Sequence, residues 1–293
     1  MNYTLKNSFY EITFSTLGAE MISIKSSGGR ELLWQNPFGE GWSNHAPLLF
    51  PFCGRLKDAQ FFYKKNAYPM KIHGFALRSE FELVEKSEEK IVFLLASDEE
   101  TKKIYPFDFR FFAAYTLSGD EITLTVRVEN CGKETLPYVF GWHPGFMLPS
   151  DDGQDIEDYA VKFDEKNEVT RVYFTRDLSV PARLLPFETP GSEYKLDEED
   201  IYSHDTVIFR DCGNRIRLKA DGYPYELSMN WTENLPVLCI WKIPRNDAKF
   251  ICLEPWSHTT ARGEGCNDIE VRPMNRLEVG KTDTYSYTLK FTL

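Results

Sequence analysis

Four short segments of the chain place an ionisable side chain among residues that fix backbone shape. In Phe250-Ile251-Cys252-Leu253-Glu254-Pro255-Trp256 an apolar run reaches a carboxylate, then a proline that cannot continue a strand ladder, then a tryptophan whose face suits a sugar ring. In Phe140-Gly141-Trp142-His143-Pro144-Gly145-Phe146 two glycines, a proline and aromatics hold one imidazole in a constrained turn. His73 sits in Lys71-Ile72-His73-Gly74-Phe75-Ala76, and Arg55 follows a glycine in Pro51-Phe52-Cys53-Gly54-Arg55. A carboxylate ordinarily titrates near pH ~4.3 and an imidazole near ~6.5. At neutral pH that gives a ready base and, with a modest upward shift of the imidazole, a ready acid. Such a pair removes one proton while delivering another to a neighbouring oxygen, without metal or nucleotide. Each segment also has a plainer reading: a solvated acid at a strand end, a packed aromatic turn, a satisfied structural histidine, a surface arginine in an ion pair.

Other groups carry less. His45 lies in a loop beside Pro47, His204 and Asp205 are adjacent so their side chains need not converge, and Pro255 spoils a helical pairing of Glu254 with His258. The six cysteines, at 53, 131, 212, 239, 252 and 266, show no metal-type spacing. Phosphate-cradling glycine loops and the Gly-x-Ser-x-Gly elbow are absent, so the sequence gives no support for a metal or a cofactor.

The elements that must position these residues follow a period of two. Phe9 to Phe14, Glu20 to Lys25, Leu32 to Trp34, Phe81 to Val84 and Ile91 to Ala96 read as strands, and Phe61 to Tyr63 turns through Lys64-Lys65-Asn66. Arg110 to Leu117, Gly119-Asp120 and Glu121 to Glu129 form the clearest hairpin, with Ile122, Leu124, Val126 and Val128 on one face against Thr123, Thr125, Arg127 and Glu129 on the other. Further strands are predicted at Thr206 to Phe209, Ile216 to Ala220, Tyr225 to Trp231, Val237 to Trp241 and Thr284 to Phe291. Helical patterning is confined to Asp98 to Lys103 and Asp197 to Tyr202. The class is all-β, a large sandwich or barrel of mostly antiparallel strands with few short helices. Loop-like composition at Ser150 to Asp158 and Pro186 to Asp200 reads as two long rim loops within one domain spanning 1–293.

Composition agrees. A chain of 293 residues with 42% hydrophobic and 15% aromatic content can bury a large core. Its net charge of −11, with no basic stripe, argues against nucleic acid as a partner. Neither an apolar leader nor a run of membrane-spanning length is present, and the scattered cysteines suit a reducing compartment, so a cytoplasmic protein is expected. Oligomeric state is not legible.

At these segments the sequence resembles the aldose 1-epimerase (galactose mutarotase) family, specifically its LacX-like branch. The likeness rests on Phe50-Pro51-Phe52-Cys53-Gly54-Arg55, His73-Gly74-Phe75-Ala76, His143-Pro144-Gly145-Phe146, Asp205-Thr206-Val207-Ile208-Phe209 and Cys252-Leu253-Glu254-Pro255-Trp256, in the family's order over nearly the whole chain. The resemblance implies a β-supersandwich, a free hexose such as galactose or glucose as substrate, and no cofactor. It implies Glu254 as the base at the anomeric hydroxyl and His143 as the acid at the ring oxygen, with Arg55, His73, Asp205 and Trp256 binding the sugar. Three departures mark the chain: Leu77 where the branch carries a basic residue, with Arg78 displaced by one, Trp142 where it carries a small one, and Ser257-His258 where a glycine is usual. These are expected to reshape the pocket. A hexose 6-phosphate epimerase and a sugar sensor without turnover are the alternatives.

Overall fold

The computed structural model describes residues 1–36, 39, 41–149, 153–163, 169–187, 193–243 and 248–293. Among them a nine-stranded antiparallel sheet runs in the order Glu193–Lys195, Tyr159–Phe163, Arg215–Ala220, Glu226–Trp231, Thr282–Thr292, Glu121–Asn130, Phe109–Ser118, Lys90–Ala96 and Glu82–Lys86. The hairpin read from the sequence lies in it, with Ser118 opposite Glu121 and Phe109 opposite Asn130. Ile122, Leu124, Val126 and Val128 are buried, while Thr123 and Thr125 face their partners Thr288 and Ser286 on the wetter side.

A second antiparallel sheet runs Arg183–Phe187, Val169–Tyr173, Val207–Arg210, Val237–Trp241, Phe250–Trp256, Gly141–Trp142 and Leu48–Leu49, with Gly145–Met147 also paired to Phe250–Trp256. The two sheets pack face to face. Tyr287 of the first donates its hydroxyl to the Pro255 carbonyl of the second, and its ring meets Trp142 edge-on. One continuous apolar core fills the space between them and takes in residues from Leu5 to Phe291. The fold is therefore the all-β antiparallel sandwich expected, with two short helices, Glu99–Ile104 and Glu198–His204, capped by Asp98 and Asp197. No helix among the described residues is long and apolar enough to cross a membrane.

Three local expectations change. Leu32 to Trp34 is not a strand but a run with isolated bridges at Glu31 and Leu33. The stretch from Pro186 to Asp200 is not all loop, since Arg183–Phe187, Glu193–Lys195 and the start of the second helix occupy its described part; 150–152 and 188–192 lie outside the described residues. Most important, the strand at Phe250 does not stop at Glu254 but runs on to Trp256, buried throughout. Proline is tolerated there because the neighbouring chain breaks. Gly141 pairs with Trp256 and Gly145 with Cys252, and opposite the gap between them only the Leu253 N–H is used, donated to the Pro144 carbonyl.

Candidate active site

Alternation along Phe250–Trp256 sorts its side chains. Ile251 and Leu253 join the core between the sheets, whereas Phe250 and Cys252 pack on the other face with Trp34, Trp42 and Trp241. Glu254 shares that outer face. The break at 143–144 in the neighbouring strand brings the second ionisable group alongside, and His143 Nε2 lies 3.3 Å from Glu254 Oε1. Both side chains are nearly sealed, at 8% and 1% exposure.

The glycines flanking His143 are there for space. A Cβ on Gly141 would stand 2.2 Å from the Trp256 ring, and one on Gly145 2.6 Å from the Trp42 ring. Indoles thus descend onto the backbone on both sides of the imidazole. Trp42 tilts over the His143 ring at 4.9 Å, and Trp241 meets it edge-on at 5.6 Å. In this apolar setting burial pushes Glu254 well above the usual carboxylate range, and the facing Trp256 indole N–H only partly opposes it. Burial, with His73 nearby, holds His143 well below the usual imidazole range. The upward shift expected of the imidazole is therefore reversed: burial favours the neutral form of both groups. His143 Nδ1, Glu254 Oε2 and Trp256 Nε1 are buried without a hydrogen-bond partner among the described residues. Three unmet polar atoms on one wall are the signature of a site awaiting a polar ligand.

His73 is clamped by two bonds to one glycine. Its backbone N–H donates to the Gly54 carbonyl at 3.0 Å, and the Gly54 N–H donates to His73 Nδ1 at 3.1 Å. An N–H can only donate, so Nδ1 is the acceptor and the ring proton of neutral His73 sits on Nε2. Burial, with Arg78 and Arg55 close by, lowers its pKa to about 3. The clamp forces a left-handed backbone at His73 (φ 65°) and at Gly74 (φ 75°), where a Cβ would strike the Phe50 carbonyl at 2.2 Å. The ring then stands edge-on to His143 at 5.4 Å and to Trp256 at 6.0 Å.

All six residues singled out from the sequence, Glu254, His143, Arg55, His73, Asp205 and Trp256, line a single cavity of about 270 Å³. The structure adds residues that motif reasoning missed: Trp42 and Trp241 around the imidazole, and Arg176 and Arg262 elsewhere on the lining. Asp205, in left-handed backbone (φ 63°) at the end of the second helix, lies 3.5 Å from Arg55 Nη1 and 3.7 Å from Arg176 Nη2. Of the departures, Leu77 lines the cavity, but the other two do not. Trp142 turns into the inter-sheet core and donates its N–H to the Ala46 carbonyl, and Ser257 Oγ accepts from the Phe140 N–H and from Asn275, bracing the strand end. His45 and His204 are structural, bound to the Trp34 carbonyl and to Asp200 respectively.

One convergence was hidden from sequence spacing. Ligand-type atoms of His143, Cys252 and Glu254 lie within 4.8 Å of one another. A soft cation there would first have to displace protons, because burial holds the Cys252 thiol in its protonated form.

Comparisons with known proteins place the chain in a family. Residues 1–264 match the family model described as Aldose 1-epimerase. The chain is 31% identical over 285 residues, 93% of either chain, to the plasmid-encoded Protein LacX of Lactococcus lactis subsp. lactis. Among solved structures it superposes on a galactose mutarotase related enzyme from Lactobacillus acidophilus with a TM-score of 0.92 and 30% identity, covering 100% of this chain and 98% of that one. A galactose mutarotase-like protein from Lactobacillus casei gives a TM-score of 0.89 at 23% identity, covering 99% and 100%. The architecture is that of the galactose mutarotase-like proteins. The chain belongs to the aldose 1-epimerase family.

Proposed function

We propose that this protein interconverts the α and β anomers of a hexose such as galactose or glucose, with Glu254 and His143 exchanging protons with the sugar. The observation that carries the reading is the buried pair itself, a carboxyl and an imidazole 3.3 Å apart with their outer atoms unmet. In the productive state Glu254 is ionised and His143 protonated. Glu254 takes the proton from the anomeric hydroxyl as His143 gives one to the ring oxygen. The electrons of the O1–H bond form the C1 carbonyl, and the C1–ring oxygen bond breaks to leave a hydroxyl on C5. Rotation about C1–C2 presents the other face of the aldehyde, and the reverse transfers close the other anomer.

Burial favours this direction of proton flow. Ring opening leaves Glu254 protonated and His143 neutral, the state that the apolar surroundings of the pair prefer. His73, with its proton fixed on Nε2, is a neutral donor suited to a sugar oxygen, and Trp256 offers its face. A second reading, the phosphorylated hexose, is favoured by the four arginines on the cavity lining, Arg55, Arg78, Arg176 and Arg262.

Polarimetry on freshly dissolved α-hexose tests the assignment of the acid. His143→Asn is expected to slow relaxation by about 10²-fold or more relative to wild type. Equal rates for the two proteins would remove His143 from the reaction.

A further inference from the structure

Cys252 is a buried ionisable group beside the reacting pair that the sugar chemistry leaves unused. It precedes Glu254 by two residues on the same face of Phe250–Trp256 and packs with Trp34 and Phe250. The break in the neighbouring strand brings His143 to the same place. One ligand-type atom from each of His143, Cys252 and Glu254 lies within 4.8 Å of the other two. A thiol, an imidazole and a carboxylate make a donor set of mixed softness. It suits zinc, whereas magnesium and calcium take oxygen alone.

The spacing of the pair fits that ion. At 3.3 Å, His143 Nε2 and Glu254 Oε1 are farther apart than the roughly 2.7–2.9 Å of a charge-assisted hydrogen bond. Metal–nitrogen and metal–oxygen bonds of about 2.0–2.2 Å meeting at a tetrahedral angle hold their two donors about 3.3–3.5 Å apart, which is the separation found here. A separate observation also points to a cation. Glu254 is 1% exposed and its Oε2 has no hydrogen-bond partner among the described residues, so an ionised carboxylate there lacks the positive charge that burial of an anion demands. The cavity, lined by both Glu254 and His143, gives a cation its way in. His143 Nδ1 meets no acceptor, the bond that steadies a metal-bound imidazole where the ion is permanent. The arrangement is therefore suited to reversible capture.

We propose that Cys252, His143 and Glu254 form a three-ligand site for zinc or a cation of similar softness, and that its occupation shuts the sugar out and inhibits the protein. Coordination forms the metal–sulfur bond as the thiol proton leaves to solvent, and the fourth position is left to water. Metal and sugar need the same two side chains, so the inhibition rests on the epimerase reading above, whereas the binding does not.

The test uses the full chain in a Cys131→Ala background, which removes an exposed thiol. Cadmium is titrated while the cadmium–thiolate charge-transfer absorbance is followed, and anomer exchange of glucose and galactose is measured by NMR with and without zinc. The parent should bind one equivalent of cadmium with a thiolate band. Cys252→Ala and the near-isosteric Cys252→Ser, each checked for folding by near-ultraviolet circular dichroism, should lose that band. Saturating zinc should slow exchange in the parent at least about tenfold, a chelator should restore it, and each variant should need at least about tenfold more zinc for half-inhibition relative to its own metal-free rate. A parent without a thiolate band, or a band that persists in the folded variants, overturns the site. Equal zinc sensitivity in parent and variants removes Cys252 from the inhibitory site. A cadmium band in a protein whose sugar exchange zinc leaves untouched overturns the inhibition. If neither hexose exchanges faster than background, the epimerase reading falls for these sugars, and the cadmium band still decides the metal site.

Discussion

At the scale of residues, the central feature is a carboxyl and an imidazole whose surroundings push their pKa values in opposite senses. Burial raises Glu254 and lowers His143, so the site favours the neutral form of each. A stability prediction follows from the sign for Glu254. The folded state binds the Glu254 proton more tightly than the unfolded chain, so this group destabilises increasingly as pH rises above the ordinary carboxylate range. Glu254→Gln should gain at least about 1 kcal/mol at pH 7 and almost nothing at pH 4, as read by denaturant unfolding at both values. Sequence pattern located the pair, since Glu254 and His143 each stood among shape-setting residues. It could not give the direction of the imidazole shift, because that depends on Trp42 and Trp241, which arrive from a loop and a distant strand.

At the scale of elements, the site exists because one strand is interrupted beside another that is not. Phe250–Trp256 runs through Pro255 unbroken, while its neighbour opens between Gly141–Trp142 and Gly145–Met147 to turn His143 toward Glu254. Gly141→Ala would drive a methyl into Trp256 and should cost about 1–3 kcal/mol, with a matching loss of sugar turnover. Ser257→Ala separates support from chemistry. It strands the buried Phe140 N–H and should cost about 1–3 kcal/mol in denaturant unfolding while leaving KM for the sugar nearly unchanged. Alternation disclosed strands with one wet face, such as Glu121–Asn130. It was silent on Leu136–Tyr138 and Gly141–Trp142, buried on both faces, and on Arg183–Phe187, largely exposed on both, because none has an apolar–polar rhythm to read. Glu254 looked like a strand end for the same reason: a proline stops a ladder unless its neighbour has already left it.

At the scale of the whole molecule, a strongly acidic chain lines its cavity with four arginines, Arg55, Arg78, Arg176 and Arg262. Attraction of a dianion to partly exposed arginines is screened by salt, so KM for a hexose 6-phosphate should rise severalfold between about 0.01 and 0.15 M ionic strength, while KM for the neutral hexose stays flat. The fold class was legible from periodicity, and the five family-like segments lie where the cavity forms. The arginine cluster was not, because Arg176 and Arg262 stand in unpatterned loops and join Arg55 on the cavity lining only through the fold. The central claim, that the buried Glu254–His143 pair opens and closes a sugar ring, is met most directly by exchange NMR on an equilibrated hexose or hexose 6-phosphate with wild type and Glu254→Gln. The account predicts α–β exchange well above background for wild type and a loss of about 10²–10⁴-fold in the variant, which remains folded. Exchange at the same rate in both proteins would contradict it.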